Sequence, residues 1–148
     1  MNGYTEKNNN EDHKKTYTYG RYKNPQVWEI YLADVPKVEG SHILCGKRPV
    51  IICSNETCNN TSTEINVYPL SSKIRNWIPT HITLNPDIDN GLKVKSQIYL
   101  EQGRTIPKKN LLEYWGRLTD FPLMLKIGRG IMMQNAMLQC MDVCMCWN

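Results

Sequence analysis

Pro49-Val50-Ile51-Ile52-Cys53 is an unbroken apolar run with three β-branched residues in succession. A run this short and this apolar suits a strand buried on both faces. On its N-terminal side, from Val27 onward, Trp28, Ile30 and Leu32 alternate with Glu29 and Tyr31, the period of a second strand. Pro36 and Gly40 then mark a loop that reaches Lys47. On the C-terminal side, the polar segment 54–63 reads as a loop and residues 65–70 as a third strand. The basic segment 71–77 is a loop again, and residues 81–84 and 97–100 are two further short strands. Pro107 can open a short helix carrying Leu111, Leu112 and Trp115. After Pro122 a longer helix places Met124, Ile127, Ile131 and Leu138 near one face. Gly128 and Gly130 weaken that helix by about 1 kcal/mol each relative to alanine, so close packing against a neighbour is expected there. No helix separates the early strands, which argues against a parallel βαβ architecture. The pattern predicts a mostly β protein, a small barrel with helical decoration.

The composition allows this. A chain of 148 residues with 41% hydrophobic residues has room for an ordinary core. Its net charge of +4 permits a nucleic-acid partner without requiring one. No apolar stretch approaches the roughly 20 residues that cross a bilayer. The first residues, MNGYTEKNNNEDHKK, lack the apolar segment of a secretory signal, so a cytoplasmic location is expected. Residues 1–24 show no apolar periodicity and read as a flexible tail, with the domain over 25–148. Tyr17, Tyr19 and Tyr22 interleave there with Lys15, Arg21 and Lys23, a composition that stacks on bases or is simply solvated. The six cysteines suggest disulfides only in an exported chain. Cys140, Cys144 and Cys146 lack the paired spacing of common structural zinc sites, and reduced thiols are expected. No metal site and no cofactor is assigned.

Several loop motifs carry a resemblance. Glu29-Ile-Tyr-Leu-Ala-Asp34, Gly40-Ser41 with Gly46-Lys-Arg-Pro-Val-Ile-Ile52, Val67-Tyr-Pro-Leu-Ser71, Ile78-Pro-Thr-His81, and Leu100-Glu-Gln102 with Arg104-Thr105 occur in the order and near the spacing of the MazF/PemK toxins. The chain resembles that family from about Trp28 to about Met137. The resemblance implies a small SH3-like β-barrel of the CcdB/MazF type with a C-terminal helix. It also implies a homodimer and metal-free endoribonuclease action on single-stranded RNA. The partner it implies is a cognate antitoxin whose C-terminal segment covers the RNA groove, with operator DNA contacted only through that antitoxin. The sequence departs from the family pattern in places. His42 stands where glutamate is usual, Trp28 where glycine is usual, and Gly103 where an apolar residue is usual. The loop from Ser41 to Arg48 is one residue longer, and the chain runs on through Cys140 to Asn148.

The chemistry expected is attack of an RNA 2′-hydroxyl on its own phosphate, which needs alignment and neutralisation of phosphorane charge. Arg48 suits the charge role, since guanidinium stays protonated and its fork matches phosphate oxygens. A surface ion pair is the alternative for the same residue. Ser71 occupies the family's threonine position. Its hydroxyl can donate to a phosphate oxygen, or it can simply end a strand in a turn. Arg48 and Ser71 are the catalytic pair the resemblance implies. His42, Lys47, Gln102 and Arg104 are expected on the RNA, as are Lys73, Arg75 and Trp77, a basic-aromatic loop that could equally be a solvated turn. His81 is of the residue type most often used as a general base, but it sits within a strand and the family does not use it so. Two other functions stay open. One is a CcdB-like gyrase poison, which would act through C-terminal residues such as Trp147. The other is a catalytically degenerate member that only binds RNA or antitoxin.

Overall fold

The computed structural model describes residues 24–137. The tyrosine-rich tail, Leu138, the three C-terminal cysteines and Trp147 lie outside the described residues. The elements run β1 (Glu29–Val35), β2 (Gly46–Ile52), α1 (Glu56–Thr61), β3 (Glu64–Ser71), β4 (His81–Leu84), β5 (Ser96–Tyr99), β6 (Arg104–Pro107), β7 (Leu111–Arg117) and α2 (Phe121–Gln134). Short 3-10 turns at Leu100–Gln102 and Lys108–Asn110 bracket β6.

All pairings are antiparallel, in the order β4-β5-β3-β2-β1-β7, with β6 alongside β3. β3 organises the sheet. One edge takes β2, and the other takes β6 along its first half and β5 along its second. No ladder joins β6 to β7 among the described residues, so the sheet curls toward a barrel without closing.

The continuous apolar run of β2 has a direct explanation. Successive strand residues point to opposite faces, and here both faces are covered. Ile51 joins Ile30, Leu70, Ile82, Ile98 and Ile127 in a core between the sheet and α2. Val50 and Ile52 join Tyr31, Ala33, Val35, Ile65, Val67, Ile106 and Leu111 in a second core inside the curl. All three β2 residues are fully buried.

α2 starts at Asp120, whose carboxylate caps the Leu123 amide at 3.1 Å. Leu123, Met124, Ile127 and Ile131 pack on the first core, the face expected from the spacing. Gly130 is the close approach, because a Cβ there would lie 2.4 Å from Leu100 Cδ1, whereas Gly128 faces open space.

The structure corrects three readings. Residues 111–117 are strand β7, not a helix, because they pair with β1. The segment 54–63 contains α1, set by the Asn55 side chain accepting from the Cys58 amide at 2.9 Å. Trp28 is not part of β1. It has φ of +71°, the left-handed region that favours glycine, and its backbone bonds both Ile52 and Leu118. That conformation accounts for the glycine usual at this position.

Candidate functional site

The β2–β3 register pairs Val50 with Pro69. Arg48, two residues before Val50, and Ser71, two after Pro69, lie toward the same end of this antiparallel pair, and both line one cavity of about 350 Å³. Gly46, at φ +78°, turns the chain into β2. This turn brings the Cys45 carbonyl back to Arg48, which donates to it through Nε at 2.9 Å and Nη2 at 2.7 Å. The guanidinium is therefore held by a neutral carbonyl, which fixes its direction, and no carboxylate among the described residues pairs with it. Its remaining N–H groups are available to an anion.

Ser71 ends β3 in a turn. Its Oγ accepts from the Lys73 amide at 3.2 Å, which makes it a turn residue. Accepting that bond leaves its own proton free for an outside acceptor.

Ser71 also lines a second cavity of about 490 Å³, shared with His42, Lys73, Arg75, Tyr99 and Gln102. The two cavities meet at Ser71 and form one groove. Lys47, Arg48 and Lys93 line the first part and Lys73 and Arg75 the second, and among the described residues no carboxylate lines either. Such a groove attracts polyanions.

The walls of the second cavity are tied down. Gln102 Oε1 accepts from the Leu44 amide at 2.7 Å and so anchors the β1–β2 loop. Gln97 Oε1 accepts from the Arg75 amide at 2.8 Å, and the Tyr99 hydroxyl donates to the Lys73 carbonyl at 2.9 Å. These two bonds fix the β3–β4 loop. Gln97 and Tyr99 were not among the expected site residues. The signal available was a buried glutamine within an apolar strand, whose amide must find partners.

Of the expected RNA contacts, His42, Lys47, Lys73, Arg75 and Gln102 do line the groove. Trp77 lines neither cavity and is 77% exposed. Arg104 lies elsewhere. It donates to the Pro36 carbonyl at 2.5 Å and lines a separate cavity of about 280 Å³ with Asn66, Tyr68 and Gln134. His81 lies outside the groove as well. Its ring is buried, stacks on Tyr99 with centroids 3.7 Å apart, and meets Glu101 through Nε2 at 2.5 Å. It supports Tyr99 from behind. Gly103 fits against the Tyr68 ring, where a Cβ would lie 2.5 Å from Cε1. Among the described residues no three His, Cys, Asp or Glu side chains come together as a metal site.

Residues 26–132 match the model of the PemK-like, MazF-like toxins of type II toxin–antitoxin systems. The chain belongs to this PemK/MazF toxin family. Solved structures share the MazF-like fold. An endoribonuclease from a mycobacterial species is 22% identical with a TM-score of 0.60, over 77% of this chain and 93% of that one. A mycobacterial endoribonuclease solved with its cognate antitoxin is 24% identical, with a TM-score of 0.60 over 76% and 95% of the two chains. MazF from Deinococcus radiodurans is 16% identical, with a TM-score of 0.63 over 77% and 98%. The MazF-like motifs around Arg48, Ser71 and Gln102 are the segments that build the groove. No helix among the described residues is long and apolar enough to cross a membrane.

Proposed function

We propose that this chain is the toxin endoribonuclease of a type II toxin–antitoxin system, cutting single-stranded RNA through the RNA's own 2′-hydroxyl. The observation that carries the reading is that Arg48 and Ser71 line one cavity of a cationic groove, with Arg48 fixed by the Cys45 carbonyl. The 2′-oxygen forms a bond to phosphorus and the bond from phosphorus to the 5′-oxygen breaks. The 2′-hydroxyl loses its proton, and the leaving 5′-oxygen gains one. Arg48 meets charge that grows on the non-bridging oxygens, and the Ser71 hydroxyl donates to the same phosphate or aligns the nucleophile. The products are a 2′,3′-cyclic phosphate and a 5′-hydroxyl, and the arginine supplies the positive charge without a metal.

The family membership supports two partners besides RNA: a second copy of the chain and a cognate antitoxin that fills the groove. One mycobacterial relative is described in complex with its antitoxin. A homodimer at micromolar concentration is expected in light scattering, and a monomer throughout that range contradicts it.

The test is incubation of purified protein with a mixed RNA in EDTA, followed by mapping of the ends. Cuts bearing cyclic phosphate support the reading. Cleavage abolished by EDTA and restored by magnesium overturns the mechanism.

A further inference from the structure

The Arg48–Ser71 cavity is also lined by Trp115 and Lys93, two residues with no part in the chemistry above. Three observations show how they are set there. First, Trp115 is the extra residue of a β-bulge. Ile30 pairs with Gly116 but Tyr31 pairs with Tyr114, so Trp115 has no partner position on β1. A bulge re-aims a side chain that a regular ladder would place elsewhere, and such devices concentrate beside active sites.

Second, the β4–β5 loop is clamped onto that bulge, backbone against backbone. A Cβ on Gly91 would lie 2.1 Å from the Trp115 carbonyl oxygen, and one on Gly116 would lie 2.1 Å from the Asp89 carbonyl oxygen. The Arg117 amide donates to that same Asp89 oxygen at 2.7 Å. Only glycines permit this approach, and Gly91 also sits at φ +67°.

Third, the clamp carries Lys93 to the Trp115 ring, with Nζ 6.0 Å from its centroid. That is the outer limit of a cation–π contact. The exposed ammonium is loosely held and can move to an anion while the ring stays fixed.

We propose that Trp115 and Lys93 form a nucleotide subsite flanking the scissile phosphate, with the base stacked on Trp115 and its phosphate paired with Lys93. This rests on the nuclease reading, since the cavity they share with Arg48 and Ser71 is the one assigned to RNA. An indole face beside a cation is the combination that holds single-stranded nucleic acid with little regard to sequence. The subsite therefore strengthens substrate binding and leaves base reading to the Gln102 side of the groove.

The experiment measures binding of a short, labelled 2′-fluoro RNA, which lacks the nucleophile and cannot be cut, to wild type, Lys93→Gln, Trp115→Leu and Trp115→Phe. Lys93→Gln should reduce the slope of log Kd against log salt by about 0.7, the value for one phosphate contact on a single strand. Trp115→Leu should weaken binding about tenfold and Trp115→Phe about threefold or less, since the loss of a stacking face is what costs affinity. Trp115 also packs against the first core. If Trp115→Leu does not fold by circular dichroism, the salt slope of Lys93→Gln decides alone. Tight wild-type binding with an unchanged slope for Lys93→Gln overturns the subsite and leaves the nuclease reading standing. No binding by wild type overturns both.

Discussion

Arg48 bonds the carbonyl of Cys45, three residues before it, through two nitrogens of its guanidinium. The short loop that delivers the arginine is therefore also what aims it, and the cavity shared with Ser71 gains a fixed positive charge.

Ser71 should tolerate threonine and not alanine. Ser71→Thr keeps the hydroxyl and the acceptor for the Lys73 amide, so its cleavage rate should stay within about threefold of wild type. Ser71→Ala removes the hydroxyl to which the proposed mechanism gives the donor role, and should cost about 10²-fold or more in kcat. Steady-state rates of the two variants on one RNA check this, and equal rates contradict the role given to the hydroxyl.

A substrate with a single 2′-deoxy nucleotide at the cut position should resist cleavage there while neighbouring sites are still cut. The nucleophile is then missing, though the phosphate and bases remain. Mapping of the ends decides, and a cut at the deoxy position rules out attack by the 2′-hydroxyl.

Gln102 anchors the β1–β2 loop at Leu44. Gln102→Ala leaves that amide without its acceptor, a loss of about 1 kcal/mol, so its hydrogen exchange should quicken roughly fivefold. Gln102→Glu keeps an acceptor but places a negative charge in a groove lined by cations. It should preserve slow exchange and weaken RNA binding. Exchange that is equally slow in all three proteins contradicts the anchoring role.

Burial raises the Cys53 thiol to about 12. At pH 8 the native protein should therefore leave Cys53 unalkylated by iodoacetamide while the exposed Cys58 reacts. The same shift has a stability consequence. The folded state holds this proton more tightly than the unfolded chain, so the contribution is fully present below the ordinary thiol pKa near 9. It is lost as pH rises from there toward 12. Urea midpoints for wild type should fall more steeply above pH 9 than for Cys53→Val, and parallel curves contradict it.

The contrast between what sequence reveals and what it hides is physical. β2 was legible because burial on both faces imposes a continuous apolar run, and Arg48 and Ser71 were legible because the motifs around them are local. β7 was not. Leu111, Leu112 and Trp115 have a helix-like spacing, and only pairing with β1, some eighty residues away, makes the segment a strand. The same long-range pairing creates the bulge that points Trp115 into the groove, so that part of the site was hidden with it. α1 was hidden because its polar composition looks like a loop until the Asn55 cap and the bond from buried Lys108 to the Asn59 carbonyl are seen. Arg104 is the reverse case, since a motif arginine two residues from Gln102 in sequence donates to the Pro36 carbonyl and lines a different cavity.

The central claim is that Arg48 stabilises charge that appears only in the transition state. Its most direct test is the single-turnover cleavage rate of Arg48→Ala, with circular dichroism to show that the variant is folded and Arg48→Lys alongside. Loss of about 10²–10³-fold in rate with RNA affinity changed far less is the predicted result, with little recovery in Arg48→Lys because an ammonium lacks the planar fork. A folded Arg48→Ala protein that cuts RNA at the wild-type rate would contradict the account.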